Sequence, residues 1–369
     1  MDRGAALALR RAALTVAKTI REVDAKMRAV ILPGDKKVLV ADRERPEPAA
    51  DEVLVQTKAS AICRSDMSLY YGNPIVGGDA VGTGDVIPGH EAAGVVVAVG
   101  EAVAGIQVGD RVAAHLAVGC GHCEYCGQGY SMLCTEWKCF GFDFPGGDAD
   151  YFTIAARNAL PLPEHFSFKA GAVMTDMIGS QYHVQKKMAV SGNKTVAVIG
   201  LGPMGSAAVL VAKAFGARVI AVDILDERLE QARALGADNV VNSKDADAVQ
   251  AILAMTGGRG VEVAIDCSGN PAGQNTALDA AAKLGCVAFV GESRATEISP
   301  SDQIIRKLLT VVGGWYFPVG EWAEVLRFVD DNKVDVEAII SHEYSVEDAE
   351  QAFGAFDRRE TEKAVFVWS

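Results

Sequence analysis

The chain has 369 residues, half of them hydrophobic, with 35 Lys and Arg against 48 Asp and Glu, a formal charge of -13, and eight cysteines. That length exceeds what one hydrophobic core usually fills, so two domains are expected; the acidic balance argues against nucleic acid, and no apolar run approaches the roughly 18 to 20 residues that cross a bilayer. Cysteines this sparse do not make a secreted disulfide scaffold, and no signal peptide with a small-residue cleavage site is visible, so a soluble protein of a reducing cytoplasm is expected.

Residues 1–26, MDRGAALALRRAALTVAKTIREVDAK, are Ala-rich and basic on a helical pattern and read as a helical extension ahead of Met27, although an organelle transit peptide has the same texture. From Met27 to about Val112, short apolar runs broken by Pro and Gly (MRAVILPG, DEVLVQTKASAIC, HEAAGVVVAVG, GDRVAAHLAV) predict β-strands. Within this stretch ICRSD at 62–66 and PGHEAAG from residue 88 supply Cys63, Asp66, His90 and Glu91, which together look like half a metal site. A catalytic zinc takes three protein ligands and keeps a fourth position open. With Cys63 and His90 as two, the third could come from Asp176 in AVMTDMIGSQYH, though an isolated Asp is more often a cap or a solvated group.

Next comes GCGHCEYCGQGYSMLC, residues 119–134, with Cys120, Cys123, Cys126 and Cys134 in the pattern C-x2-C-x2-C-x7-C. Such short spacings suit a closed tetrahedral thiolate site for zinc. Four thiolates leave no position for substrate and give a net charge of about -2, a poor Lewis acid, so this zinc is structural. A nucleic-acid-binding zinc ribbon is disfavoured by the few and mixed charges nearby. Cys139, Cys267 and Cys286 sit in apolar surroundings and read as buried small hydrophobes.

From about Lys194, short β-branched runs alternate with long helical stretches, which predicts an α/β domain with a doubly wound parallel sheet. The loop GLGPMG places Gly200, Gly202 and Gly205, with Pro203 and Met204 between them, in G-x-G-x-x-G between a strand and a helix. The first glycine permits the tight turn, the second admits a pyrophosphate, and the third lets helix pack on strand. Asp223 ends the next strand, where a carboxylate accepts hydrogen bonds from the ribose hydroxyls and repels a 2′-phosphate, favouring NAD over NADP. Arg228 lies near enough to touch the adenine, though a solvated helix face explains it equally well. The tail from about Trp315 is mixed and ends in KAVFVW, a strand that could rejoin the first domain.

From Met27 to Ser369 the chain resembles the zinc-dependent medium-chain alcohol dehydrogenases, in the branch of polyol, threonine and secondary-alcohol dehydrogenases. Gly89, His90, Glu91, Gly94, Gly100 and Val103 meet the motif G-H-E-x2-G-x5-G-x2-V, and the four-cysteine lobe matches in spacing. Beyond the helical extension read over 1–26, the resemblance implies a GroES-like β-rich catalytic domain over 27–182 with the zinc lobe at 119–134, a Rossmann NAD-binding domain over 183–317 and a return to the catalytic domain over 318–369. It assigns the catalytic zinc to Cys63, His90 and Asp176, and likens Glu91 to a carboxylate that approaches or replaces a ligand during exchange. Asp66 resembles the acceptor that fixes the His90 ring, Ser65 the proton-relay hydroxyl, and Arg64 the residue that contacts the pyrophosphate. Where many members place a relay histidine three residues further on, this chain has Ser68. His183 matches a histidine near the interdomain hinge or is structural, and His115 and Leu116 fall where members line the substrate pocket.

One thiolate, one carboxylate and one neutral imidazole sum to about zero with zinc, leaving Lewis acidity for polarising an alcohol. The resulting expectation is an NAD-dependent enzyme with two zinc ions per chain that oxidises a secondary alcohol (a polyol, cyclitol or amino alcohol) to its ketone. The enzymatic alternative is an aldehyde or ketone reductase of specialised metabolism, and the alternative of another class is a redox-inert zinc- and NAD-binding protein. The expected partners are a small alcohol or ketone and further copies of the chain in a dimer or tetramer, with neither nucleic acid nor membrane.

Overall fold

The structure, a computed structural model, describes residues 25–73 and 86–368. The extension read over 1–26 lies outside the described residues except for its last two, and Lys26 already opens a strand. β1 (Lys26–Gly34) and β2 (Lys37–Glu44) form a hairpin around Asp35 and Lys36, both at positive φ (52° and 60°), the turn backbone that matches strand twist. β3 (Glu52–Ala61) leads into a turn and the short helix α1 (Asp66–Tyr70). β4 (Glu91–Val99) then runs antiparallel to β3, with Glu91 opposite Ala61.

β5 (Arg111–Ala114) and the small ribbon of β6 (Ala117–Val118) and β7 (Lys138–Cys139) follow, with α2 (Glu124–Gly127) in the cysteine lobe between the two ribbon strands. β8 (Tyr151–Ala155) and β9 (Ala159–Pro161) complete this part. A helical stretch then leads out of the sheet. α3 (Phe168–Val173) starts at Ser167, whose hydroxyl accepts the Ala170 N–H at 3.0 Å; it widens into a π-helical turn over Met174–Ile178 and continues as α4 (Gly179–Lys187).

From there strands and helices alternate: β10 (Thr195–Ile199), α5 (Pro203–Ala214), β11 (Arg218–Asp223), α6 (Asp226–Ala234), β12 (Asn239–Asn242), α7 (Ala248–Met255), β13 (Val261–Asp266), α8 (Pro271–Ala280), β14 (Ala281–Phe289) and β15 (Thr310–Gly313). They make a parallel sheet in the order β12-β11-β10-β13-β14-β15. Val196, Val198, Val219, Ile220, Val263 and Ile265 are buried on both faces, as strands between two helix layers must be. The chain starts in the middle, winds out to β12 and crosses back to β13. The crevice between β10 and β13 is therefore the switch point at which such sheets bind ligands.

After α9 (Trp322–Asp331), β16 (Ile340–Tyr344) and α10 (Ala349–Asp357), the chain ends in β17 (Lys363–Val367). β17 pairs parallel with β16 and antiparallel with β3, so the first sheet runs β16-β17-β3-β4-β5-β9, with β8 also on β3. The stretch KAVFVW does rejoin the earlier strands. One core joins the two sheets: Ala59 and Ala93 from the first, Val173, Met177 and Ile178 from the helical stretch, and Val196 and Val198 from the second.

Candidate active site

Pairing β3 against β4 brings the end of one strand beside the start of the other, and thereby brings Cys63 beside His90. The Cys63 N–H donates to Asp66 Oδ2 at 2.8 Å, and Asp66 Oδ1 lies 3.0 Å from His90 Nδ1. That carboxylate is buried and fixes the imidazole with Nε2 outward, the orientation a metal-ligating histidine needs. Gly89, at φ +94°, is required here, since an added Cβ would meet Asp148 Oδ1 at 2.2 Å.

Asp176 comes from the π-helical turn, which packs against α5, the helix that opens at the glycine loop. Its Oδ2 lies 3.6 Å from Cys63 Sγ and 4.0 Å from His90 Nε2. Glu91 Oε1 is also 4.0 Å from His90 Nε2, and one ligand atom from each of Cys63, His90, Glu91 and Asp176 falls within 4.8 Å of the others. Ser65 Oγ is 3.3 Å from His90 Nε2. A thiol, an imidazole and two carboxylates on one small volume suit zinc. Glu91 Oε2, buried without a partner among the described residues, adds an unused acceptor there.

Charge in this wall is balanced by a residue that sequence reasoning missed. Lys363, with no exposed side-chain surface, places Nζ 2.5 Å from Glu91 Oε1 and 3.1 Å from the Ile62 carbonyl. Burial pushes the Glu91 carboxyl up to about 8 although Lys363 pulls it down. Burial works to lower Lys363, but Glu91 and Cys63 outweigh it and hold the ammonium above its ordinary range. Burial raises the Cys63 thiol against the pull of His90, and His90 is itself held well above its usual value, since Asp66 and Cys63 overcome the cost of burying its charge.

The four lobe cysteines also converge, with Cys120, Cys123, Cys126 and Cys134 offering sulfurs within 4.8 Å of one another. Cys123 Sγ caps α2 by accepting the Cys126 N–H at 3.5 Å, and Cys134 Sγ accepts from Cys120 N and Glu136 N at 3.4 Å each. Such N–H donors stabilise thiolates: the His122 N–H, followed by that of Cys123, brings Cys120 down to about 6, whereas burial takes Cys126 up to about 12. No cysteine among the described residues is in a disulfide. The donor set fits a closed zinc site.

At the end of β10 the three glycines divide the work as the motif requires. A Cβ on Gly200 (φ +87°) would strike Ser268 at 2.8 Å and one on Gly205 would strike the Gly200 carbonyl at 1.9 Å, whereas Gly202 faces open space with Arg228 Nη2 at 4.0 Å. Pro203 and Met204 begin α5, Pro203 at the first helical position, where its missing N–H costs nothing. Asp223 Oδ2 accepts the Leu201 N–H at 2.6 Å and Oδ1 accepts those of Ile224 and Leu225 at 2.7 and 3.1 Å. The carboxylate is thus fixed against the loop, with lone pairs left for hydroxyl donors.

Two family descriptions match the chain: alcohol dehydrogenase GroES-like domain over residues 49–164, and zinc-binding dehydrogenase over residues 203–331. A sorbitol dehydrogenase of Bacillus subtilis is 30% identical over 332 residues, covering 89% of this chain and 93% of that protein. The chain belongs to the zinc-dependent medium-chain alcohol dehydrogenases. Among solved structures, an alcohol dehydrogenase from Escherichia coli CFT073 in complex with NADH superposes with a TM-score of 0.84 at 28% identity, covering 93% of this chain and 100% of that one. A zinc-binding dehydrogenase of Sinorhizobium meliloti bound to NADP gives 0.84 at 26%, covering 93% and 99%. The mixed α/β fold, a GroES-like part with a Rossmann-type sheet, and alcohol oxidoreduction with zinc and a nicotinamide cofactor come with membership. Among the described residues no helix is long and apolar enough to cross a membrane.

Other residues singled out in the dehydrogenase sequence lie as follows. His115 is fully buried, with Nε2 3.0 Å from the Phe317 carbonyl and Nδ1 3.3 Å from Asn158 Nδ2, and burial takes it down to about 4. It is a neutral link between the first sheet and the segment ahead of α9. The Leu116 N–H bonds Tyr316 Oη at 3.1 Å in the same contact. His183 pairs with Glu321 at 2.9 Å and meets Tyr130 of the lobe edge-on. Ser68 is buried, and its hydroxyl has no partner among the described residues. Arg64 is exposed. Cys139 is buried, and burial lifts its thiol to about 12, as an inert small hydrophobe requires. The available signal for Lys363 is a lysine opening an otherwise apolar final strand.

Proposed function

We propose that this dehydrogenase transfers a hydride between NAD and a secondary alcohol, a polyol, cyclitol or amino alcohol, and its ketone, with one catalytic and one structural zinc per chain. The observation that carries the reading is the coexistence of two donor sets: an open one of Cys63, His90 and Asp176 with Glu91 behind it, and a closed one of four cysteines. Similarity to a sorbitol dehydrogenase supports the polyol class.

A zinc held by Cys63, His90 and Asp176 would act as a Lewis acid on the substrate oxygen. Asp66 holds the His90 ring, and Ser65, beside Nε2, takes the substrate proton towards solvent or the nicotinamide ribose. Glu91, tethered by Lys363, stands ready as an exchange carboxylate. The glycine loop and Arg64 hold the pyrophosphate, Asp223 the ribose, and Arg228 borders the adenosine end. The reductase reading is the same site run in reverse, since one transition state serves both directions.

We place the enzyme in a reducing cytoplasm, in keeping with its unpaired cysteines, and as a dimer or tetramer, in keeping with the exposed apolar Leu284, Leu308 and Val311 near the β14–β15 edge. The test is incubation with NAD and a panel of diols, sugar alcohols and cyclic alcohols, following nicotinamide reduction. Turnover of at least one secondary alcohol is expected. A zinc-loaded protein that binds NADH yet reduces NAD with none of them would support the redox-inert alternative instead.

A further inference from the structure

Arg228 is the third residue of α6 and reaches back over the cofactor loop: its Nη2 is 4.0 Å from where a Gly202 Cβ would be, and its Nη1 is 3.8 Å from Asp223 Oδ2. An arginine beside the ribose is the group that commonly accommodates the 2′-phosphate of NADP. By that rule Arg228 works against the NAD preference that Asp223 implies. The guanidinium, however, is not free. Its Nε donates to Glu362 Oε1 at 3.1 Å, a contact spanning 134 residues and joining the nucleotide sheet to the returning C-terminal segment.

Glu362 is anchored at the mouth of the returning strand. Its N–H donates to Ser341 Oγ at 2.9 Å on β16, and the next residue begins β17. The side chains of Arg228 and Glu362 are only 20% and 19% exposed, so solvent screens the pair incompletely. The second carboxylate oxygen, Oε2, is buried with no partner among the described residues, so the acid is aimed at the arginine and not shared with other donors. One guanidinium between two carboxylates leaves this triad with a net charge of about -1, and Glu227 adds further negative charge nearby. A 2′-phosphate there would have to compete with Glu362 for the same fork and face the surplus charge of Asp223.

We propose that Glu362 is a specificity-determining positioning residue: by engaging Arg228 from the other sheet, it withholds that guanidinium from a 2′-phosphate and lets Asp223 decide in favour of NAD. The inference rests on the NAD reading above and deepens it.

The experiment measures dissociation constants of NADH, NADPH, 5′-AMP and adenosine 2′,5′-bisphosphate by calorimetry for the zinc-loaded wild type, Glu362→Gln, and Glu362→Gln combined with Arg228→Ala. Binding of the two nucleotide fragments involves neither zinc nor alcohol. In Glu362→Gln, NADPH and the bisphosphate should bind about tenfold tighter, the scale of one charge-assisted hydrogen bond, while NADH and AMP change by less than about threefold. The added Arg228→Ala should remove the gain. A bisphosphate-to-AMP ratio unmoved by Glu362→Gln, or all four ligands weakened together as a purely structural role predicts, overturns the inference while leaving the NAD reading intact. Wild type binding NADPH as tightly as NADH overturns that reading, and the inference with it.

Discussion

A lysine with no exposed surface is tolerated only where a partner keeps its charge satisfied, and for Lys363 that partner is Glu91. Lys363→Met should therefore lower stability, by less than the about 3–5 kcal/mol of an unpaired buried charge, because Glu91, lifted by burial to about 8, takes up a proton once the ammonium is gone. Denaturant midpoints on the zinc-loaded protein check this, and a midpoint within error of wild type would show that Glu91 does not need the ammonium. A second buried acid gives a pH signature. Asp148 is fully buried, bonded to Ser60 Oγ at 2.5 Å, and burial, helped by the charge of Asp66, lifts it to about 7 from an ordinary 3.8. Between those values the folded state binds the extra proton, so stability falls as pH rises through the window, by up to about 1.4 kcal/mol per unit. Asp150 has the opposite sign: hydrogen bonds from Arg28 outweigh its burial and hold it low, so its contribution is lost as pH falls. Asp148→Asn should flatten the stability profile between pH 5 and 7, and an unchanged slope would remove Asp148 from the account. Neither acid pair was legible in the sequence. Glu91 and Lys363 are 272 residues apart, and the pairing of both β17 and β4 with β3 makes them neighbours.

Elements differ in how far their chemistry is written locally. In the lobe, four cysteines within one short stretch carry their own spacing, and the elements there, α2 with four residues and a three-residue 3-10 turn, are too short to hold themselves without a cross-link. Asp176 is the contrary case. Its place beside Cys63 comes from the π-helical turn between α3 and α4, and nothing in AVMTDMIGSQYH announces that widening; one extra residue in the turn re-aims a side chain, which is why such turns gather at functional sites. The two metal sets should therefore separate by mutation. Metal analysis should find two zinc ions per wild-type chain. Cys134→Ser should lose one of them together with several degrees of melting temperature, whereas Asp176→Asn should keep the lobe zinc and the fold but lose about tenfold or more in affinity for the other, taking the effect of a supporting residue as the floor. One zinc per wild-type chain with full activity would overturn the two-zinc reading, and Asp176→Asn with unchanged zinc content and kinetics would leave Glu91 or another group as the third ligand.

At the scale of the whole molecule, the alternation of strands and helices after Lys194 was legible because each β-α unit is local, and so was the switch-point glycine loop. What lay outside that reading is how the two sheets meet: α4 bonds α5 through Gln185 and the Ala208 carbonyl at 3.0 Å, His115 bonds Phe317, and Glu362 reaches Arg228, all contacts between distant parts of the chain. A cofactor seated at β10 and β13 therefore lies against elements tied to both sheets, and its binding should stabilise the molecule as a unit. By mass action, NADH at a hundred times its dissociation constant should add about 2.7 kcal/mol to the unfolding free energy. NADPH at the same concentration should add much less, because Asp223 loses its ribose hydrogen bond and meets a like charge. Charge-assisted hydrogen bonds contribute roughly 1.5 to 3 kcal/mol, so a preference of about 100-fold in kcat/KM is expected. Asp223→Gly should shrink both gaps, the stability increment by weakening NADH and the kinetic ratio by admitting NADPH. Because the Asp223 carboxylate also accepts three backbone N–H groups, the variant should lose some stability without any ligand, and the comparison must be made against its own ligand-free midpoint. Equal increments from the two cofactors in wild type, or a ratio that Asp223→Gly leaves unmoved, would take the preference away from this residue.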